Sequence, residues 1–157
     1  MISAIIITVF IFIDQLLKHL ATVYLAPVGK ITVIPKIVQL RYVLNDGAAF
    51  GLFGGSQFML QVVTSIGLIV LLYMIYGKKT YSKIETFSLI MVFSGGAGNL
   101  INRVASGYVV DYIDPVFVNF AVFNFADCLI CVGLFLLTIC VFSQEIKEKK
   151  QKEMHDG

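Results

Sequence analysis

Residues 2–24 read ISAIIITVFIFIDQLLKHLATVY, a run of apolar side chains broken by Asp14, Gln15 and Lys18. A helix needs about 20 mainly apolar residues to cross the ~30 Å hydrocarbon core of a bilayer. The stretch therefore reads as a membrane span with an acid and a base late in its course. Three more windows qualify: 58–76, which carries no charge, 84–103, polar only near its ends, and 126–142, with Asp127 at its start. Together they fill most of a 157-residue chain that is 58% apolar and only 14% charged, with mean hydropathy +0.87. Soluble domains run about 45–50% apolar and about 25% charged, so a large soluble enzyme on a single anchor is excluded. A net charge of +2 is too little to suggest nucleic acid. The first window lacks a basic leader and a small-x-small cleavage site, so it reads as a retained helix rather than a signal peptide.

Lys78, Lys79 and Lys83 crowd the short 76–84 connection, and Lys147, Lys149, Lys150 and Lys152 the C-terminal tail. The 104–125 connection has no Lys or Arg, and the 25–57 connection only Lys30, Lys36 and Arg41. By the excess of positive charge on the cytoplasmic side, both termini are expected inside. Within 25–57, Ile31–Ile34 is rich in β-branched residues, Val38–Tyr42 alternates apolar with polar, and Asn45-Asp46-Gly47 is a turn signal. The expected fold is an all-α membrane protein: a four-transmembrane-helix bundle with a small extracytoplasmic β-sheet between helices 1 and 2. That β region is placed at about 30–56, and Val116–Phe123 in the 104–125 outer loop could add a strand or cover the sheet. Residues 1–143 form a single membrane-embedded domain, and 144–157 a solvated, charged cytoplasmic tail.

With that topology the polar residues fall at one depth, near the outer interface. Asp14 and Lys18 lie late in helix 1, Asn45 closes the sheet, and Asn99, Asn102 and Arg103 end helix 3. Asp111 and Asp114 lie in the outer loop, and Asn124 and Asp127 open helix 4. Ionisable groups in membranes are costly and suggest function. Asp14/Lys18 and Asn99/Arg103 are i,i+4 and Asn124/Asp127 are i,i+3, so each pair can share a helix face. Gly95, Gly96 and Gly98 would let another helix approach helix 3 closely. Each feature also has a structural reading. Asp14/Lys18 suits a structural ion pair, Asn99 and Arg103 suit helix capping and interfacial snorkelling, and Asp127 suits the dipole of its helix. Taken together, Asp111 and Asp127 form a candidate carboxylate dyad. Two close carboxylates share a proton. The ionised member can activate water, and the protonated one can polarise a carbonyl and later protonate a leaving amine. That is peptide hydrolysis without a metal or cofactor. His19 and His155 offer no metal cluster, and Ser94 and Ser106 have no partner base in sequence.

Five blocks follow in order: Asp14-Gln15-x-x-Lys18, Asn45-x-Gly47-Ala48-Ala49-Phe50, Gly95-Gly96-x-x-Asn99-x-x-x-Arg103, Val110-Asp111-Tyr112 and Phe123-Asn124-x-Ala126-Asp127. They resemble lipoprotein signal peptidase, the bacterial signal peptidase II, an aspartic peptidase family. The resemblance implies an endopeptidase of the bacterial plasma membrane that cuts prolipoproteins just before a diacylglyceryl-modified Cys. It implies Asp111 and Asp127 as the catalytic pair, with Asn45, Asn99, Arg103 and Asn124 lining the substrate cleft. Asp14, Lys18, Gly95, Gly96 and Asn102 would support the site. Implied partners are prolipoprotein substrates, membrane lipids and globomycin-type inhibitors, acting on a monomer. Asn102 departs from the family pattern, where Asp is common. Two rival readings come from the residues. Cys128-x-x-Cys131 could mark a small four-helix thiol oxidoreductase, although the remaining cysteine, Cys140, lies near the other end of helix 4. A channel or transporter subunit would want polar groups along a bore, which helices 2 and 4 hardly offer.

Overall fold

The computed structural model describes residues 1–47, 57–77 and 81–155, with side chains described as far as 146. The reading of Ala48, Ala49, Phe50, Lys78 and Lys79 falls outside them. Among the described residues, four helices are long and apolar enough to cross a membrane: Ile2–Leu25, Gln57–Tyr76, Lys83–Ser106 and Phe125–Ile146. The first divides into α1 (Ile2–Leu20) and a π-helical stretch, Ala21–Leu25. The others are α2 (Gln57–Tyr76), α3 (Lys83–Ser106) and α4 (Phe125–His155). Large apolar side chains such as Ile5, Phe12, Ile66 and Phe135 stand more than half exposed, as a lipid-facing surface requires.

Helix α3 is the least apolar of the four by composition and the most enclosed: half of its span is buried, against none of α2. It packs on α1, α2 and α4, and its glycines explain how. A Cβ at Gly95 would strike the carbonyl of Ala126 in α4, and one at Gly98 the carboxylate of Asp14 in α1. One at Gly96 would meet only the Leu68 side chain of α2, at 3.1 Å. The expected close approach is thus made to three different helices by three neighbouring positions. The start of α3 is fixed by a capping box, in which Ser82 Oγ accepts the Glu85 N–H (3.2 Å) and Glu85 Oε2 accepts the Ser82 N–H (2.7 Å). Glu85 Oε1 accepts from Gln144 Nε2 of α4 at 2.9 Å. The helix ends at Gly107, whose φ of 80° makes the left-handed cap that a side chain would strain.

Strands β1 (Lys30–Ile34) and β2 (Val38–Asn45) form the expected hairpin, turning through Lys36 at φ 65°. The expected turn at Asn45 is an Asx turn: Gly47 donates its N–H to Asn45 Oδ1 at 2.9 Å, with φ 94°. One expectation is corrected. The sheet has a third strand, β3 (Val109–Pro115), antiparallel to β2 in the order β1-β2-β3, and it comes from between α3 and α4. Residues 109–113 read Val-Val-Asp-Tyr-Ile, branched and aromatic side chains that suit a pleated surface. Val116–Phe123, read as a further strand or a cover for the sheet, contributes a single bridge from Phe123 to Ile113. In the charged tail α4 runs on to His155, because its alternating Glu, Lys and Gln are strong helix formers.

Candidate active site

Five elements, α1, β2, α3, β3 and α4, deliver polar side chains to the sheet-bearing end of the bundle. Strand β3 carries Asp111, 2% exposed. The first turn of α4 carries Asp127, which is only half-buried. A single residue, Asn124, links the two. Its Nδ2 donates to Asp111 Oδ1 at 2.6 Å, and its backbone N–H donates to Asp127 Oδ2 at 3.0 Å. The Asp127 N–H returns to Asn124 Oδ1 at 3.0 Å, completing a capping box at the helix start. Asn124 is fully buried.

The remaining carboxylate oxygens are held by two more carboxamides. Asn45 Nδ2, at the end of β2, donates to Asp111 Oδ2 at 2.8 Å. Asn99 Nδ2 donates to Asp127 Oδ1 at 2.8 Å. The orientation of Asn99 follows from chemistry. Its Oδ1 accepts from the buried Lys18 ammonium at 2.8 Å, which can only donate, so its NH₂ must face the acid. Lys18 is itself saturated, with two further bonds to Asp14 Oδ2 (2.8 Å) and Asn102 Oδ1 (2.9 Å). A chain of contacts thus runs from α1 through α3 to α4: Asp14, Lys18, Asn99, Asp127.

Asn102, the departure from the family pattern, also exchanges amide bonds with Gln15 at 3.2 Å in each direction. Gln15 bonds Asp14 Oδ2 at 3.0 Å and the Gly98 carbonyl at 3.1 Å. A neutral carboxamide here leaves the Lys18–Asp14 pair balanced. Arg103 lies near enough for its charge to act on both Asp111 and Asp127. Its Nε is buried and, among the described residues, has no hydrogen-bond partner. Asp114, the other outer-loop acid, is not part of this group. It accepts from Gln39 Nε2 (2.7 Å) and from Arg41 Nε (3.0 Å), and serves the sheet.

Burial pushes the Asp111 carboxyl above the usual range, and the charge of Asp127 adds to this. The bonds from Asn45 and Asn124 and the charge of Lys18 oppose the rise without cancelling it. Asp111 also lines a cavity of about 260 Å³, together with Arg41, Asn45, Asp46, Ala121 and Val122. Among the described residues no three His, Cys, Asp or Glu side chains gather as metal ligands. Cys128, Cys131 and Cys140 are all free thiols.

The signal peptidase (SPase) II family model matches residues 6–143. A lipoprotein signal peptidase of Caldanaerobacter subterraneus subsp. tengcongensis is 44% identical over 85% of this chain and 92% of its own. Those of Lactococcus lactis subsp. lactis and Streptococcus pneumoniae are each 36% identical over 92% of this chain, and 96% and 95% of theirs. The chain belongs to the signal peptidase II family. A solved bacterial membrane enzyme, determined by the in meso method at 2.3 Å resolution, superposes with a TM-score of 0.81 at 30% identity, over 91% of this chain and 88% of that one.

For this signal peptidase II family member, the structure brings together Asp14, Lys18, Asn45, Asn99, Asn102, Asn124, Asp111 and Asp127, with Arg103 beside them. Gly95 and Gly96 stand one turn back, against α4 and α2. Three contributors escape a reading from sequence. Gln15 was legible as part of the first block, but not as a partner of Asn102 and the Gly98 carbonyl. Gln39 decides that Asp114 is occupied. Tyr112 turns its hydroxyl to accept the Phe125 N–H at 3.3 Å, and nothing in its sequence context announces that bond.

Proposed function

We propose that this protein is a membrane aspartic endopeptidase that removes the signal peptide from diacylglyceryl-modified prolipoproteins, cutting just before the lipidated Cys. The observation that carries the reading is the linkage of Asp111 and Asp127 through Asn124. Asp127, half-buried at a helix N-terminus with two N–H donors, suits the ionised role. Asp111, buried and slow to lose its proton, suits the protonated one. In the reaction Asp127 takes a proton from water, and the oxygen attacks the scissile carbonyl carbon. Asp111 hydrogen-bonds the carbonyl oxygen as negative charge gathers there. Collapse of the tetrahedral intermediate breaks the C–N bond, and a carboxyl proton passes to the departing amine of the Cys. Arg103, with its free Nε, would hold a backbone carbonyl of the substrate. Asn45, Asn99 and Asn124 fix the acids and form the floor of the cleft.

The signal helix would pack against apolar helix faces while the acyl chains stay in lipid, which places the cut at the interface, where water is available. The lysines at 78, 79, 83 and in the tail put both termini in the cytoplasm and the dyad at the extracytoplasmic face of the bacterial plasma membrane. It would act as a monomer. Globomycin-type inhibitors would occupy the same cleft. The test is incubation of the purified protein with a diacylated and a non-acylated prolipoprotein. Cleavage of the first only, blocked by globomycin, is expected. Equal cleavage of both, or of neither, would overturn the substrate assignment.

A further inference from the structure

The last turns of the first span pack on the sheet above them through Ala21, Leu25, Val110 and Tyr112, but leave a gap beside that contact. Between them lies a cavity of about 470 Å³, within the ~300–1,000 Å³ typical of small-molecule sites. Leu17, Ala21 and Leu25 form one wall, and Ile31, Leu40 and Tyr112 the other. No charged side chain lines it. A trapped water needs two to four polar partners, and the lining side chains offer two hydroxyls, those of Tyr24 and Tyr112, the second already accepting the Phe125 N–H. Water therefore has little to hold it there.

Two further observations say what fills the space. The wall on the helix side is the π-helical stretch Ala21–Leu25, closed by a bond from the Ala26 N–H to the Ala21 carbonyl at 3.0 Å. Such turns are rare and gather at functional positions. Three of its residues, Ala21, Tyr24 and Leu25, face the cavity. The cavity also sits at the height of the final turns of the Ile2–Leu25 span. Leu20 and Tyr24 stand 39% and 69% exposed beside it, on a lipid-facing surface. The abundant apolar molecule at that depth is the acyl chain of the surrounding leaflet. The dyad is elsewhere: none of Asp111, Asn124 and Asp127 is among the residues that line the cavity.

We propose that the cavity between the π-helical end of the first span and the underside of the sheet binds one acyl chain of a bilayer phospholipid, at a site separate from the Asp111–Asp127 cleft. Occupancy would brace the Tyr112 ring, whose hydroxyl holds the first turn of α4. The assignment goes beyond the peptidase reading and does not depend on it.

The test is photolabelling of the full chain in phosphatidylcholine nanodiscs. A phosphatidylcholine carrying a diazirine midway along one acyl chain is used, with no prolipoprotein present, and adducts are mapped by mass spectrometry. Adducts are expected on Leu17–Leu25 and on the Tyr112 peptide, above the labelling of the lipid-facing α2. Ala21→Phe fills the cavity and should reduce those adducts to background while α2 labelling persists, which reports correct insertion. Leu40→Trp fills it from the sheet side and should do the same if Ala21→Phe disturbs the fold. Unchanged cavity adducts in both filled variants would overturn the proposal. So would labelling by a photoreactive diacylglyceryl-Cys peptide but not by phosphatidylcholine, which would assign the cavity to the substrate.

Discussion

Ser82–Glu85 and Asn124–Asp127 start α3 and α4 in the same way, each a polar side chain and an acid capping one another three residues apart. The outcomes differ because of what the first residue has left to give. Ser82 makes its capping bond and reaches no second acid among the described contacts. Glu85 passes its other oxygen to the neutral Gln144, so the box serves as a clamp between two helix ends. Asn124 still has an NH₂ group, which it spends on Asp111 and, at 3.3 Å, on Asn99 Oδ1. A carboxamide in place of a hydroxyl turns a local cap into the junction of two acids. The same device is structural at one end of the bundle and belongs to the candidate site at the other.

The largest effect should come from the acids themselves. Asp111→Asn and Asp127→Asn keep size and most hydrogen bonds but remove the proton transfers, each of which contributes typically ~10²–10⁴-fold. Processing of a diacylated prolipoprotein should fall by about 10³-fold or more in each, with the protein still folded and inserted by circular dichroism and size-exclusion chromatography. Glu85→Gln, in the matching position of the other box, should process at close to the normal rate. If Glu85→Gln were as inactive as Asp127→Asn, the contrast between the two boxes would collapse.

Next come the capping side chains. Asn124→Ala removes a helix cap and also the donor to Asp111 Oδ1. The loss of the cap costs ~1 kcal/mol, and leaving the buried Asp111 oxygen without its donor about 1–3 kcal/mol. Ser82→Ala loses the cap alone. Both should lower thermal stability in detergent, but only Asn124→Ala should also lose activity, by about tenfold to a hundredfold, since each 1.4 kcal/mol is tenfold. Equal activity in the two variants would show that Asn124 merely caps.

The backbone beneath the second box gives a finer comparison. Gly95 lies against the Ala126 carbonyl, inside the first turn of α4, whereas Gly96 faces a movable Leu68 side chain. Gly95→Ala should push that turn outward and cost about 1–3 kcal/mol as overpacking, with activity falling as Asn124 and Asp127 shift. Gly96→Ala gives back roughly 0.5–1 kcal/mol of helix preference against a small adjustment of Leu68, so stability should change little. Melting curves of the pair decide it.

How much of this could be read from the chain depends on what each signal encodes. The four spans follow from hydrophobic length alone, and the depth of the polar residues follows from the spans. The pairing of Asp14 with Lys18 is helical spacing, visible at once. Depth carries no direction, however. Nothing in the sequence shows that Asn99 presents its NH₂ to Asp127, because that orientation is imposed by Lys18, 81 positions away. Gly95 and Gly96 are adjacent letters with neighbours on different helices, a distinction made only by packing. Strand β3 was hidden because an acid in a short apolar run looks like loop until a partner strand is present. Here β2 supplies that partner, Val43 standing opposite Asp111.

The smallest expected effect concerns protons. Burial and the Asp127 charge raise the Asp111 carboxyl above its ordinary range, while the bond from Asn45 opposes them. In the proposed mechanism the dyad holds one proton, so activity should fall on the alkaline side as Asp111 ionises, at a pH higher than an ordinary aspartate would give. For the fold the sign is the same. The native state binds this proton more tightly than the unfolded chain does, so stability contributed by Asp111 declines as pH climbs from the ordinary carboxylate range through the raised folded value. Asn45→Ala removes a donor that favours the anion, so it should move the alkaline limb of kcat/KM to higher pH rather than lower. Glu85 offers the control, since disrupting its box by Ser82→Ala leaves the neighbours of Asp111 untouched and should leave the limb in place. A downward shift in Asn45→Ala, or an equal shift in Ser82→Ala, would mean that the limb reports a group other than Asp111.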